Sequence, residues 1–125
     1  MSATEKESLI KELDCSIGIA AIERFIRRIK EGELSVVCLY EVSMERTDKT
    51  GFHAAWILEK LCERIPDYAE LFIEELAGNF TKIQNQSSMR AYAKLLSRLL
   101  RQQKRGILHE TLSAMLLSIN PDKLI

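Results

Sequence analysis

Residues 54–76, AAWILEKLCERIPDYAELFIEEL, form two amphipathic segments separated by a single proline. In both segments the large apolar residues recur every three or four positions, which is the spacing of one face of an α-helix. Pro66 lies between the segments, where the first turn of a second helix tolerates a residue without an N–H. The stretch therefore predicts a helical hairpin with a short connection.

The rest of the chain follows the same pattern. Only five glycines and two prolines interrupt the 125 residues, and the spacing predicts helices at about 3–13, 17–31, 33–45, 51–64, 67–81, 88–102 and 106–119. Residues 35–42, SVVCLYEV, are also suited to a buried strand, but no second strand-like run exists to pair with them, so a helix is favoured. Gly32 is expected to end the second helix, and Ser87 or Ser88 to cap the sixth.

The predicted helices repeat in pairs. We call the first, third, fifth and seventh helices A and the others B; their starts are spaced by 30 to 39 residues. Stacked two-helix units of this length are typical of an α-α superhelix. The predicted fold is thus an all-α superhelix of about three and a half hairpins, in a single domain over residues 1–125. A compact helical bundle is the alternative, because helix pairs of this size occur in both folds.

Two segments carry a resemblance to a known family. Residues 54–76 and residues 87–100, SSMRAYAKLLSRLL, resemble the HEAT-like α-helical repeat family of small bacterial proteins. Its members show an Arg-Ala-Ala-Trp-type helix, a proline-initiated helix and then an Arg-Ala-type helix. The resemblance implies a HEAT/armadillo-like solenoid in which His53 replaces the family's usual arginine. Some members carry the label adenylosuccinate lyase, but SSMR (87–90) lacks the Met-Pro-x-Lys-x-Asn continuation of that enzyme's signature loop.

The composition excludes several classes of protein. Basic and acidic residues balance at 18 each, so the net charge does not indicate a nucleic-acid-binding protein. Residues 1–13 are charged from residue 5, unlike a signal peptide, and no apolar run reaches the roughly 18 residues of a membrane span. Cys15, Cys38 and Cys62 are an odd number of widely spaced cysteines, which indicates buried reduced thiols. We therefore expect a cytoplasmic protein without a membrane partner.

The fourth helix contains the residues that come closest to a catalytic set. His53 and Cys62 are nine residues apart, which places them on opposite helix faces and excludes a Cys–His pair there. His53 lies on the polar side, which favours a surface or inter-repeat hydrogen bond, and Trp56 lies among apolar residues that predict a core position. The chain contains no zinc-ligand spacing, phosphate-binding loop or nucleophile elbow. The sequence therefore predicts no catalytic residue, metal or cofactor, and disfavours an enzyme.

Charge is segregated between the two helix classes. The B segments carry a net charge of +8 and the A segments −8. In a superhelix the two classes form opposite layers, so we expect a basic concave face and an acidic convex face. The predicted partner-binding residues are Arg90, Lys94, Arg98 and Arg101 of the sixth helix, Arg24, Arg27 and Arg28 of the second, and His53 of the fourth.

These residues predict a non-catalytic protein-interaction or scaffold module that binds an acidic protein partner. An ordinary solvated face is the simpler interpretation of the same stripe, and a binder of the nucleic-acid phosphate backbone is the alternative function. The stripe lacks the interleaved aromatic residues that favour nucleic acid. The last helix, residues 106–119, is apolar on most of its circumference, so we expect it either to cover the end of the stack or to form a homodimer.

Overall fold

The computed structural model describes residues 3–102, in which helices joined by short connections are present and no strand occurs. The α-helices are α1 (Ala3–Leu13), α2 (Ile19–Lys30), α3 (Val36–Glu45), α4 (Lys49–Arg64), α5 (Ile73–Asn79) and α6 (Gln86–Gln102). Two 3-10 helices, Pro66–Leu71 and Phe80–Lys82, flank α5. The all-α prediction is confirmed, including a helix rather than a strand over most of residues 35–42. The predicted helix at 106–119, with its two possible roles, lies outside the described residues.

The helices form two layers, as predicted for a superhelix. α1, α3 and the Pro66–Leu71 turn contact one another in sequence and form the A layer, while α2 and α6 both pack against α4 in the B layer. α4 also packs along α3 and touches α1, so it has neighbours on nearly every side. The apolar core runs between the layers and includes Leu39, Leu58 and Leu95. α4 is thus the central helix of the fold.

The ends of the helices explain the short connections. Gly32 has a φ of +79°, and the N–H groups of Gly32 and Glu33 donate to the carbonyls of Ile29 and Arg28. This left-handed cap ends α2, as the sequence predicts. The Ser35 hydroxyl then accepts a hydrogen bond from the Cys38 N–H at 3.2 Å and caps α3.

The N-cap of α6 is Asn85, so the prediction of Ser87 or Ser88 is wrong. The Asn85 side-chain oxygen accepts a hydrogen bond from the Ser88 N–H at 3.0 Å. Its amide nitrogen donates to the carbonyls of Thr47 and Asp48, at 3.0 and 3.3 Å. Asn85 therefore caps α6 and attaches its first turn to the α3–α4 loop, a tertiary role that a local sequence pattern does not show.

The predicted helix at 67–81 is divided by Phe72. Its backbone, with φ −142° and ψ 0°, is not helical, and its ring is buried against Tyr40 with the ring centroids 5.4 Å apart. The 3-10 turn before it places Ala69 and Phe72 on one side, because residues three apart eclipse in that geometry. The break then lets Ile73 and Leu76 of α5 also enter the core.

Two positions of α4 show how closely it is packed. Gly51 is buried, and a Cβ added to it would overlap the carbonyl oxygen of Arg46 and lie 2.9 Å from the carbonyl carbon. Trp56 is partly buried, packs against the core and stacks on Phe52, with the ring centroids 5.8 Å apart and the planes 6° from parallel. Trp56 therefore contributes to packing, as predicted, but from the edge of the core.

Candidate functional site

The outer face of α6 carries exposed cations. One face of this helix is buried and includes Met89, Tyr92, Leu96 and Leu99, so the opposite face points toward solvent. Arg90, Lys94 and Arg101 are exposed on that face, and Gln86–Gln102 contains no acidic residue. Of the four cations predicted on this helix, Arg90, Lys94 and Arg101 are thus exposed and Arg98 is partly buried.

A groove of about 520 Å³ lies between this stripe and α4. α6 lines one wall with Arg90, Ala93, Lys94, Ser97, Arg98 and Arg101. α4 lines the other with Glu59, Lys60 and Glu63. The groove therefore places two carboxylates opposite a row of cations, an arrangement that the helix-by-helix charge count does not reveal.

Arg98 forms ion pairs across the groove. Its Nη2 lies 3.6 Å from Glu59 Oε1 and 3.4 Å from Glu63 Oε2. Lys60 Nζ lies 3.7 Å from a carboxylate oxygen of each of the same two glutamates. Glu59 is buried, with 2% of its surface exposed, although a helical-wheel projection places it on the polar side of α4. Arg98 and Lys60 balance the two carboxylates, so the charge of Lys94 and Arg101 is not offset within this cluster.

The cations of α2 divide into two groups. Arg28 donates to Glu12 of α1 at 2.8 Å and lies over the Phe25 ring, 5.5 Å from its centroid, so it connects two helices. Arg24 and Arg27 are exposed. Between α2 and α4, Arg64 forms a hydrogen-bonded ion pair with Glu23 and holds the pKa of that carboxyl below its ordinary value. Exposed cations of the B layer therefore lie on both α2 and α6, whereas the exposed cations of α4, Lys49 and Arg64, are paired with Asp14 and Glu23.

The prediction that His53 belongs to the partner-binding face is wrong. Only 8% of its surface is exposed, and its Nδ1 lies 2.9 Å from the carbonyl oxygen of Leu13 at the end of α1. The predicted inter-repeat hydrogen bond is confirmed. Neighbouring helices surround α4, so His53 faces protein although it lies on the polar side of this helix in a helical-wheel projection.

The cysteines are poorly suited to nucleophilic chemistry. Cys38 and Cys62 are buried, and burial raises the pKa of the Cys62 thiol to about 12. A cysteine nucleophile must be a thiolate near neutral pH. Cys15 is exposed, so the prediction of a buried thiol is wrong at this position, and its thiol donates to the Glu12 carbonyl oxygen at 3.2 Å.

Within residues 3–102, no cluster of three or more histidine, cysteine or acidic side chains is arranged to hold a metal ion. In the same part of the chain, no helix has both the length and the apolar composition needed to cross a membrane.

Comparison with known protein families identifies the repeat type. A family model described as the HEAT repeat domain matches residues 9–117, which include the whole of α2 to α6. No curated protein and no solved structure matches the chain.

Proposed function

The chain belongs to the HEAT repeat family, and we propose that it is a non-catalytic interaction module that binds an acidic protein partner through the cations of α6. HEAT repeats generally mediate protein interactions or scaffolding. Stacked helix pairs suit this role because each added pair extends a continuous surface.

The observation that carries the proposal is that the cations of α6 differ in their ion pairing. Arg98 is committed to Glu59 and Glu63, whereas Lys94 and Arg101 are exposed with no carboxylate within ion-pair distance in residues 3–102. Arg90 adds a third exposed cation one turn before Lys94. The charge of Lys94 and Arg101, which no carboxylate of residues 3–102 balances, attracts an acidic surface and accelerates its association.

Arg24 and Arg27 of α2 supply a second exposed patch in the same layer, and an extended acidic partner would contact both patches. Arg28 has a structural role toward α1, so we place it outside the proposed surface. A nucleic-acid backbone is less suited to this layer, because the partly exposed carboxylates of Glu23 and Glu63 would repel a continuous row of phosphates. We also propose a cytoplasmic location, which is consistent with free cysteines at all three positions.

Charge reversal on α6 tests the function. The variant Lys94→Glu/Arg101→Glu is expected to bind a fluorescent glutamate-rich peptide at least tenfold more weakly than the wild type, because two attractive contacts become repulsive. The matched control is Lys11→Glu/Lys82→Glu, which changes the net charge equally at exposed positions outside α2, α4 and α6. Its affinity should change less than threefold. Equal losses in the two variants would refute the α6 site.

A second binding measurement distinguishes an acidic protein partner from a nucleic-acid partner. Binding of a single-stranded oligonucleotide is measured in parallel at low and at physiological salt. A nucleic-acid binder prefers the oligonucleotide and loses affinity steeply with salt. Preference for the peptide at physiological salt supports the protein partner, and preference for the oligonucleotide contradicts it.

A further inference from the structure

We propose that the α4–α6 groove binds a carboxylate side chain of the partner, with Arg98 as the residue that receives it and Glu59 as its internal competitor in the free protein. The inference rests on the proposed function, since it specifies how the acidic partner is recognised. The groove would give the exposed cations of α6 a defined site for one carboxylate, and Glu59 would lower the affinity of that site in the free protein.

The contact between Glu59 and Arg98 is incomplete. Their closest oxygen and nitrogen are 3.6 Å apart, beyond the approximately 2.7–2.9 Å of a charge-assisted hydrogen bond. Arg98 Nη1 and Glu59 Oε2 are both buried and have no hydrogen-bond partner within residues 3–102. Buried polar atoms without a partner are unfavourable, so a ligand that supplies an acceptor to Arg98 gains free energy that an exposed cation would not provide.

The chemistry of the groove selects a carboxylate. A guanidinium presents paired N–H donors whose spacing matches the two oxygens of a carboxylate. Arg98 lines the groove and keeps 20% of its side chain exposed, so an incoming oxygen reaches the guanidinium from the groove side and a rotation of the group offers it Nη1. Lys94 and Arg101 stand at the same wall and add attraction for an anion.

The acidic wall of the groove restricts which anions fit. Glu63 keeps nearly half of its side chain exposed beside Arg98, so a second negative charge next to the bound carboxylate meets repulsion. A peptide avoids this repulsion when the residues directly next to its inserted carboxylate are neutral, as in a glutamate-rich peptide whose glutamates are separated by neutral residues. A phosphate backbone cannot, because each of its units is charged.

The spacing of the α6 cations predicts the pattern of the partner. Lys94 and Arg101 are two helical turns apart, about 10 Å along the axis, and Arg98 lies between them. A partner helix lying along α6 would therefore place acidic residues two turns apart at the rim, with the inserted carboxylate between them.

Neutralising the internal competitor gives the sharpest test. Glu59→Gln keeps the size of the side chain and removes one of the two carboxylate charges that pair with Arg98. We expect this variant to bind the fluorescent glutamate-rich peptide roughly tenfold more tightly than the wild type. Glu63→Gln, at a half-exposed position, should also bind more tightly and serves as a second variant if Glu59→Gln fails to fold.

Two controls isolate the groove. Glu74→Gln changes the net charge equally at an exposed position of α5, in the other layer, and should alter affinity less than twofold. Arg98→Lys keeps the positive charge but loses the paired donors, so the tighter binding caused by Glu59→Gln should disappear in the double variant. Thermal unfolding of each variant reports whether it is folded.

The outcomes distinguish this inference from the proposed function. If Lys94→Glu/Arg101→Glu weakens binding but neither Glu59→Gln nor Glu63→Gln strengthens it beyond the Glu74→Gln control, the stripe binds the partner and the groove does not. If the Lys94→Glu/Arg101→Glu variant binds as well as the wild type, the proposed function fails. A wild-type protein that does not bind the peptide contradicts both.

Discussion

Replacing Gly51 by alanine is expected to destabilise the protein, although alanine is the better helix former. Gly51 is the third residue of α4, and the Gly→Ala change gains at most about 1 kcal/mol of helix propensity. The new methyl group would overlap the Arg46 carbonyl oxygen and lie 3.2 Å from the Arg46 Cβ. Because the obstacle is mainly backbone, α4 and the α3–α4 loop must move apart.

The magnitude follows from these opposing contributions. Overpacking of a close contact costs typically 1–3 kcal/mol, and the upper end applies where backbone must shift. The net loss of unfolding free energy is therefore about 2 kcal/mol. For a chain of this length that loss lowers the melting temperature by about 8 °C, which calorimetry or circular dichroism measures directly.

Gly78 provides the matched control within the same protein. It lies in α5, and an added Cβ would meet nothing within 4 Å. Gly78→Ala should therefore raise the melting temperature by about 3 °C through helix propensity alone. If Gly51→Ala raised the melting temperature as Gly78→Ala does, the close approach of α4 to Arg46 would be refuted.

Two other predictions concern the cap of α6 and a buried thiol. Asn85→Ala should lower the unfolding free energy by about 1–2 kcal/mol, measured by the denaturant midpoint, because it removes the cap and the two bonds to the α3–α4 loop. Asn85→Ser, which keeps a cap acceptor without placing a charge beside the two carbonyls, should lose less. Burial raises the pKa of Cys62 from 9.0 to about 12 in the folded protein. The unfolded chain therefore loses this proton first, and stability should fall between pH 9 and 12 by as much as about 1.4 kcal/mol per pH unit from this group. Cys62→Ala should show a shallower fall over that range, and an identical pH profile would contradict the buried position of the thiol.

The helices were predictable from sequence because their apolar spacing is a local property. The bounds predicted for the first and sixth helices lie within two residues of those observed, and Gly32 ends α2 as expected. The region around Phe72 was not predictable in the same way, because its break depends on a ring stacked against Tyr40 of another helix. Local spacing therefore gives the elements, and long-range packing decides where one is interrupted.

The candidate site was predictable only on the outer helix. Arg90, Lys94 and Arg101 are exposed as expected, since α6 has one apolar face against α4 and one face open to solvent. His53 and Glu59 are polar residues of α4 and yet are buried. A helical-wheel projection gives the angle of a side chain, but it does not show that neighbours enclose this helix on several sides. The pairing of Glu59 with Arg98 thus required the structure.

The central position of α4 also affects how the chain unfolds. Long helical repeat arrays can lose their terminal units one at a time, because each unit touches only its neighbours. Here α1, α2, α3 and α6 all contact α4, so opening this helix to solvent requires detaching most of the described residues together. Amide hydrogens in the middle of α4 should exchange with deuterium only through global unfolding.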